Sequence, residues 1–275
     1  MKTGVIVILS AKADIEQEFL KIRSFGFDNC QLVSWDLSLR TDEMAGKIKA
    51  AMEKTGVSIS AFWCGWRGPK IWDFYGGQET LGLVPVTWRY PRIEDLITGA
   101  DFAHKLGVEN VVSHMGYLPE NPYDPNYQPV VIALRTVAQH CLKNGQNLLM
   151  ETGQETPVAM LRVIEDVGTG NLFVNLDPAN LILYGKGNPV DALDVFGQYV
   201  RGVHAKDGLY PTNGRQLGEE TALGDGKVNF PALVEGLHRV GYDGPLTIER
   251  EIEGDQQTAD ILKAKALLEE CIAKL

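Results

Sequence analysis

The chain has 275 residues, of which 44% are hydrophobic and 23% are charged, so it can bury a large core. It carries 26 Lys and Arg against 36 Asp and Glu, and the net charge of −10 repels nucleic-acid phosphates and anionic membrane surfaces. Its cysteines form no CxxC pair, and no apolar run approaches the ~20 residues of a membrane span. We therefore expect a reduced, cytoplasmic protein that binds neither nucleic acid nor membranes.

Short apolar runs alternate with amphipathic stretches of helical period along the whole chain. A glycine often precedes the run, as Gly56 precedes Val57, because a helix commonly ends with a left-handed residue. Eight runs begin near residues 4, 30, 57, 108, 147, 172, 201 and 246. Eight strand–helix units predict a single-domain (β/α)8 TIM barrel over residues 1–275. An open doubly wound sheet is the alternative, but no GxGxxG turn follows the first run.

Capping residues mark the starts of several predicted helices. Thr41, Thr156 and Asn229 each stand before an early acidic residue or proline. The last helix is expected over residues 257–275, where it would complete the outer ring of the barrel.

Three long loops are expected at 65–91, 118–129 and 208–226, after the third, fourth and seventh strands. Barrel active sites lie at these C-terminal strand ends. The first loop holds six aromatic residues, which form either a wall against a sugar face or a packed cluster beneath the loop. They are Trp66, Trp72, Phe74, Tyr75, Trp88 and Tyr90.

Polar side chains end the last four predicted strands, namely Glu151, Asp177, His204 and Glu249. Neighbouring strands lie ~4.8 Å apart, so these side chains can converge at the barrel mouth. Three carboxylates that close raise one another's pKa unless a cation lies among them. Taken singly, each residue is more often a cap or a rim residue, but the joint pattern favours a metal site. The oxygen-rich set with one imidazole favours Mn²⁺, with Mg²⁺, Co²⁺ or Zn²⁺ as alternatives.

The sequence around these residues resembles the xylose isomerase-like TIM-barrel superfamily, and within it the sugar isomerases and ketose 3-epimerases. The likeness rests on the four strand-end residues and on the segments 204–207, 223–226 and 241–249. In ketose 3-epimerases the first and last glutamates bind the metal and exchange the substrate's proton, so the resemblance implies both roles for Glu151 and Glu249. Those enzymes often carry a histidine and a second glutamate where this chain has Asn180 and Pro157.

These features predict a metal-dependent sugar isomerase or epimerase. A metal on a carbonyl oxygen and the neighbouring hydroxyl acidifies the C–H between them and stabilises an enediolate. Proton return then gives an epimer or an isomer, whereas loss of a leaving group gives a lyase on keto-sugars or keto-glycosides. A non-catalytic carbohydrate-binding barrel and an abasic-site endonuclease are further alternatives. Five histidines and the negative charge disfavour the endonuclease.

Further residues are candidate contacts for a small-molecule sugar, each with a structural role as the alternative. They are His114 at the end of the fourth strand, Asn180, Glu155, Trp66 in the first long loop and Arg215 in the third. Lys206 and Asp207 are expected either to orient the ligands or to be solvated loop charges. His104, His140 and His238 fall in predicted helices, where packing or surface roles are expected. A homo-oligomer is compatible with these features, although no interface is predicted.

Overall fold

Eight parallel strands close into a barrel in the computed structural model, which describes residues 1–275. The strands follow one another around the barrel in chain order, and the last pairs with the first. They are β1 (Lys2–Ile8), β2 (Asn29–Ser34), β3 (Ser58–Cys64), β4 (Asn110–Ser113), β5 (Asn147–Glu151), β6 (Leu172–Leu176), β7 (Val200–Ala205) and β10 (Pro245–Ile248). Two short strands, β8 (Asp207–Gly208) and β9 (Glu220–Thr221), form a separate antiparallel pair. The predicted TIM barrel is confirmed.

Helices connect the strands and cover the outside of the barrel. They are α1 (Ile15–Ser24), α2 (Asp42–Thr55), α3 (Gly76–Thr80), α4 (Val86–Lys105), α5 (Tyr127–Lys143), α6 (Pro157–Val167), α7 (Pro178–Leu183), α8 (Pro189–Phe196), α9 (Phe230–Arg239) and α10 (Asp255–Ile272). The side chains of Thr41, Thr156 and Asn229 accept hydrogen bonds from the first turns of α2, α6 and α9, which confirms the predicted caps. No helix combines the length and apolar content that a membrane crossing requires.

Alternation along the strands decides which side chains reach the barrel mouth. Val5 and Val7 of β1 belong to the large core between strands and helices, whereas Ile6 packs against a smaller cluster inside the barrel. Likewise Ile248 is in the large core, so the next residue, Glu249, points to the opposite side. Strand pairing matches Val5 with Ile248, which places Ile6 level with Glu249.

Two of the three predicted loops are shorter than expected, because helices begin inside them. α3 and the start of α4 lie within 65–91, and Pro91 is inside α4 rather than at its boundary. The next residue, Arg92, is fully buried and donates to the carbonyls of Arg67, Gly82 and Pro69, which ties the helix to the preceding segment. α5 begins at Tyr127, so residue 129 lies in its first turn, where proline costs no hydrogen bond. Residues 208–226 contain the β8–β9 pair.

The side chain of Asp207 anchors the connection that follows β7. Its buried carboxylate accepts backbone hydrogen bonds from Gly208, Gly224, Gly226 and Val228 at 2.8–3.0 Å. A Cβ atom at residue 226 would lie 2.1 Å from this carboxylate, so the turn requires glycine. Asp207 therefore shapes the loop beside the barrel mouth and does not contact the four strand-end residues.

We expect Asp207→Ala to lower the free energy of unfolding by about 3 kcal/mol or more, because several buried N–H groups lose their acceptor. Urea unfolding measures this change. Asp225→Ala is the control, since that carboxylate is 58% exposed and pairs only with Lys263. Its free energy of unfolding should fall by less than about 1 kcal/mol. Equal losses in the two variants would contradict the anchoring role.

Candidate metal centre

The four strand-end residues lie together at the C-terminal end of the barrel. Glu151 ends β5, Asp177 follows β6, His204 lies in β7 and Glu249 follows β10. One potential ligand atom from each lies within 4.8 Å of the others. Three of the side chains are fully buried and that of Glu249 is 17% exposed. The barrel therefore brings together residues that are up to 98 positions apart in the sequence.

Three of the four atoms that face the centre of this group lack a hydrogen-bond partner. Asp177 Oδ2, His204 Nδ1 and Glu249 Oε2 are buried without a hydrogen-bond partner. His204 Nδ1 lies 3.1 Å from Glu249 Oε2, 3.2 Å from Glu151 Oε1 and 3.7 Å from Asp177 Oδ2. Buried polar atoms in native proteins almost always have a partner. A divalent cation among these four atoms would satisfy them together, so the residues fit a metal-binding site.

Gln31 of β2 orients the imidazole. His204 Nε2 lies 2.7 Å from Gln31 Oε1, and because an amide oxygen only accepts, the proton is on Nε2. With Nε2 held by Gln31, Nδ1 is the ring nitrogen that faces the centre and would bind a metal once it loses its proton. Gln31 in turn donates to Asn175 Oδ1 at 3.5 Å. The sequence analysis missed Gln31, although a polar residue within the apolar run of β2 was a usable signal.

Cationic neighbours determine the charge of the two glutamates. Glu151 receives hydrogen bonds from Trp63 Nε1 and from Asn180 Nδ2, the latter at 3.3 Å. Burial raises the pKa of Glu151, but His114 and His204 outweigh it and hold the pKa well below the usual value. Burial also raises the pKa of Glu249, whereas Lys206 and His204 lower it to about 2. Both glutamates are therefore ionised at neutral pH.

Lys206 is buried beside the metal centre and is not a solvated loop charge. Its Nζ lies 3.1 Å from Glu251 Oε1, 3.5 Å from Glu249 Oε2 and 3.7 Å from Asp177 Oδ2. It also donates to Asn180 Oδ1 at 3.5 Å. The ammonium group therefore balances the carboxylates on one side of the centre and fixes the amide of Asn180.

A cavity of about 300 Å³, which we call the metal-site cavity, opens above the four residues. His114 and Asn180, two of the predicted sugar contacts, line it together with Glu151 and Glu249. The other three predicted contacts are not in its wall. Trp66 is 3% exposed and packs beneath other rings, Glu155 is buried with a hydrogen bond from the Gly153 N–H, and Arg215 is exposed.

Three tryptophans form the aromatic wall of this cavity. Trp35, Trp63 and Trp72 line it, and the ring of Trp35 lies 4.7 Å from that of Trp63 and 6.4 Å from that of Trp72. Only Trp72 belongs to the aromatic set predicted from residues 65–91, of which Tyr75 and Tyr90 are exposed on the surface. Trp35 and Trp63 were missed, although each lies two positions beyond an inward-facing residue of β2 or β3.

The three helical histidines lie where the sequence placed them. His104 is in the last turn of α4, His140 in α5 and His238 in α9, all outside the barrel. His140 Nε2 contacts Asp101 at 2.6 Å, which joins α5 to α4. None of them reaches the metal-site cavity.

We expect Gln31→Ala to weaken binding of Mn²⁺ by about 10–100-fold, because the imidazole loses the acceptor that fixes its tautomer and orientation. Isothermal titration with Mn²⁺ measures the affinity. Gln198→Ala, at an exposed position before β7, is the matched control and should bind Mn²⁺ as the unsubstituted protein does. An unchanged affinity in the Gln31 variant would contradict the orienting role.

Glu155 is a buried carboxyl group near His114. Burial raises its pKa from the usual 4.5 to about 7, and the cationic form of His114 only partly offsets this effect. Because the pKa of this carboxyl is higher in the folded protein, the protonated form stabilises the fold relative to the ionised form. This contribution to the free energy of unfolding is fully present below pH 4.5 and is lost as the pH rises through 7.

We therefore expect Glu155→Gln to be more stable than the unsubstituted protein at pH 8, with little difference at pH 4.5. The expected gain is about 3 kcal/mol, since the variant carries no ionisable group there. Urea unfolding of the chelator-treated proteins across this pH range measures it. If the difference in free energy of unfolding between the two proteins did not change with pH, burial would not raise the pKa of Glu155.

The fold and the converging side chains define a single-domain (β/α)8 barrel with a candidate metal-binding site at its C-terminal mouth. A family model described as xylose isomerase-like TIM barrel matches residues 19–271, so the chain belongs to that family. The resemblance stated from the sequence is thereby confirmed.

Two solved structures have a similar barrel, and a curated relative is similar in sequence. A xylose isomerase domain protein from Planctomyces limnophilus is 36% identical, with 99% of this chain and 97% of that one covered and a TM-score of 0.92. The 3-keto-D-glucoside 4-epimerase of E. coli is 18% identical, with 98% and 100% covered and a TM-score of 0.73, a likeness that shows the fold alone. An inosose dehydratase of Lacticaseibacillus casei is 23% identical over 183 residues, or 55% of this chain. The chain spans 60% of the length of the curated relatives that it matches.

Proposed function

We propose that this protein is a divalent-metal-dependent sugar epimerase or isomerase, with Glu151 and Glu249 as its acid–base pair and Mn²⁺ as its metal. The observation that carries the proposal is the convergence of both glutamates on His204 Nδ1, at 3.2 and 3.1 Å. In the barrel, β6 and β7 separate β5 from β10, so the two carboxylates approach this point from different sides. Two bases that face one substrate carbon from different sides are what inversion requires.

The chain's own residues hold the acid–base pair in position. A divalent cation bound by the four side chains would supply Lewis-acid polarisation of the substrate's carbonyl oxygen. Trp63 and Asn180 fix Glu151 through hydrogen bonds, and Lys206 faces Glu249 at 3.5 Å. One ionised glutamate takes the proton next to the carbonyl and later releases it to water. The other takes a proton from water and delivers it to the opposite face of the same carbon.

The substrate-facing contacts in this proposal come from His114, Asn180 and the tryptophan wall. His114 Nε2 lies 3.2 Å from Glu151 and its ring is 5.0 Å from that of Trp72, so it spans the polar and aromatic sides of the metal-site cavity. Imidazole and amide groups donate to sugar hydroxyls, and indole faces cover the C–H faces of sugar rings. We assign no contact to Trp66, Glu155 or Arg215, since none of them lines the cavity.

A lyase acting on keto-sugars or keto-glycosides is the second candidate. The likeness to an inosose dehydratase favours it, since a dehydratase breaks a bond beside the position of proton removal. The first step is shared with epimerisation, and the outcome differs only in whether a leaving group departs before the proton returns.

Solvent exchange tests the proposal directly. The protein is incubated in D₂O with and without Mn²⁺ and with a panel of free ketoses and 3-keto-glucosides, and deuterium next to the carbonyl is measured by NMR. We expect metal-dependent incorporation that Glu151→Gln and Glu249→Gln each lower by about 100-fold or more. Glu235→Gln, exposed on α9, is the control and should retain full exchange.

Bound metal is measured in each variant, so that loss of the base is separated from loss of the ion. A product inverted at one carbon identifies an epimerase, and an aldose product identifies an isomerase. An unsaturated product identifies a lyase. No metal-stimulated exchange with any sugar in the panel would overturn the proposed function.

A further inference from the structure

A second and larger cavity lies directly beside the metal-site cavity. It has a volume of about 600 Å³ and runs between the C-terminal ends of β1 and β10, and we call it the β1–β10 cleft. The two cavities share four wall residues, Val33, Trp35, Glu249 and Glu251. The cleft is therefore an extension of the metal site on the Glu249 side, and the proposed proton transfer leaves it unused.

Aliphatic side chains line the part of the cleft that lies at the barrel mouth. Strand pairing places Ile8 opposite Val33 at the mouth, and Ile8 is 59% exposed there. Ile6 and Ile252 add to the same wall. A single exposed isoleucine is ordinary, but several that line one concave surface are typical of a binding site.

Charge excludes an anionic occupant. Four carboxylates border the cleft, from Glu18, Glu249, Glu251 and Glu253, against the cations of Lys21 and Arg250. Arg250 already pairs with Glu220 at 3.0 Å and with Asp260 at 2.8 Å. Glu249 and Glu251 likewise lie 3.5 and 3.1 Å from Lys206, so the charges left without a partner are Glu18 and Glu253 against Lys21. A phosphate group would therefore still meet net negative charge. The site therefore favours an uncharged group that contacts aliphatic side chains.

We propose that the β1–β10 cleft binds an uncharged apolar substituent of the sugar held at the metal centre, so that the substrate class is a glycoside with an apolar aglycone. This inference rests on the proposed function for the position of the sugar. Trp35 lies in the wall of both cavities, and the ammonium of Lys70 packs 4.1 Å from its ring centroid. A sugar against Trp35 in the metal-site cavity would direct its substituent past Glu249 into the cleft.

Two glycosides that differ only in the substituent test the inference. Isothermal titration of the Mn²⁺-loaded protein compares methyl and n-hexyl 3-keto-β-D-glucoside. We expect the hexyl compound to bind at least about tenfold more tightly, because its additional methylene groups are transferred from water into the apolar part of the cleft. Ile8→Glu should reduce this preference to about twofold or less.

Ile132→Glu is the matched control, since Ile132 is 57% exposed on α5, outside the barrel, and Ile8 is 59% exposed. It should retain the full hexyl preference. Thermal unfolding of both variants checks that each is folded, and Ile252→Glu should act as Ile8→Glu does if the latter is destabilised.

Equal affinities for the two glycosides, or a preference that survives both cleft variants, would overturn the inference. Concentration-dependent dimerisation abolished by Ile8→Glu, without any hexyl preference, would overturn it in favour of an interface between two copies of the chain. Deuterium exchange is scored separately. If deuterium exchange occurs without a preference for the hexyl glycoside, only the proposed role of the β1–β10 cleft is rejected. If the hexyl glycoside is preferred but no exchange occurs, only the proposed proton transfer is rejected.

Discussion

Repulsion among three closely spaced carboxylates is the constraint on which the barrel mouth depends. Glu151, Asp177 and Glu249 meet around one imidazole within 4.8 Å, where like charges strongly disfavour one another's ionisation. Burial raises the pKa of Asp177, and the two neighbouring glutamates raise it further, although Lys206 and His204 oppose them. The cationic groups around the centre offset part of this cost. The remaining unpaired lone pairs explain why a bound cation is the simplest way to complete the arrangement.

The barrel itself explains why this cluster can form from separate segments. β5, β6, β7 and β10 are consecutive around the barrel, so polar residues at equivalent strand ends become neighbours. Closure between β10 and β1 then places Ile6 level with Glu249. The same hydrogen-bonded register that assembles the ligands also puts an apolar strand end beside one of the two acid–base candidates.

Local signals in the sequence predicted most of the fold and the four side chains that converge at the barrel mouth. Apolar runs, capping residues and polar strand ends are encoded by neighbouring residues, which is why the eight strands and the four converging side chains were found. The role of Gln31 depends instead on barrel closure, since it contacts Asn175 and His204, which are 144 and 173 positions away. The helical position of Pro91 depends on burial of Arg92, a tertiary effect that overrides the usual meaning of proline.

The mouth is divided between two halves of the barrel. β5, β6, β7 and β10 supply the ionisable groups, whereas β1, β2 and β3 lead into the isoleucines and tryptophans of the cavity walls. Two contacts link the halves: Gln31 of β2 contacts His204, and Trp63 of β3 donates a hydrogen bond to Glu151. The candidate metal ligands and the proposed apolar contacts of the substrate are therefore different side chains. Under the proposed function, changes in the first three strands would alter substrate preference while the four candidate ligand atoms stay in place, provided that the contacts of Gln31 and Trp63 are kept.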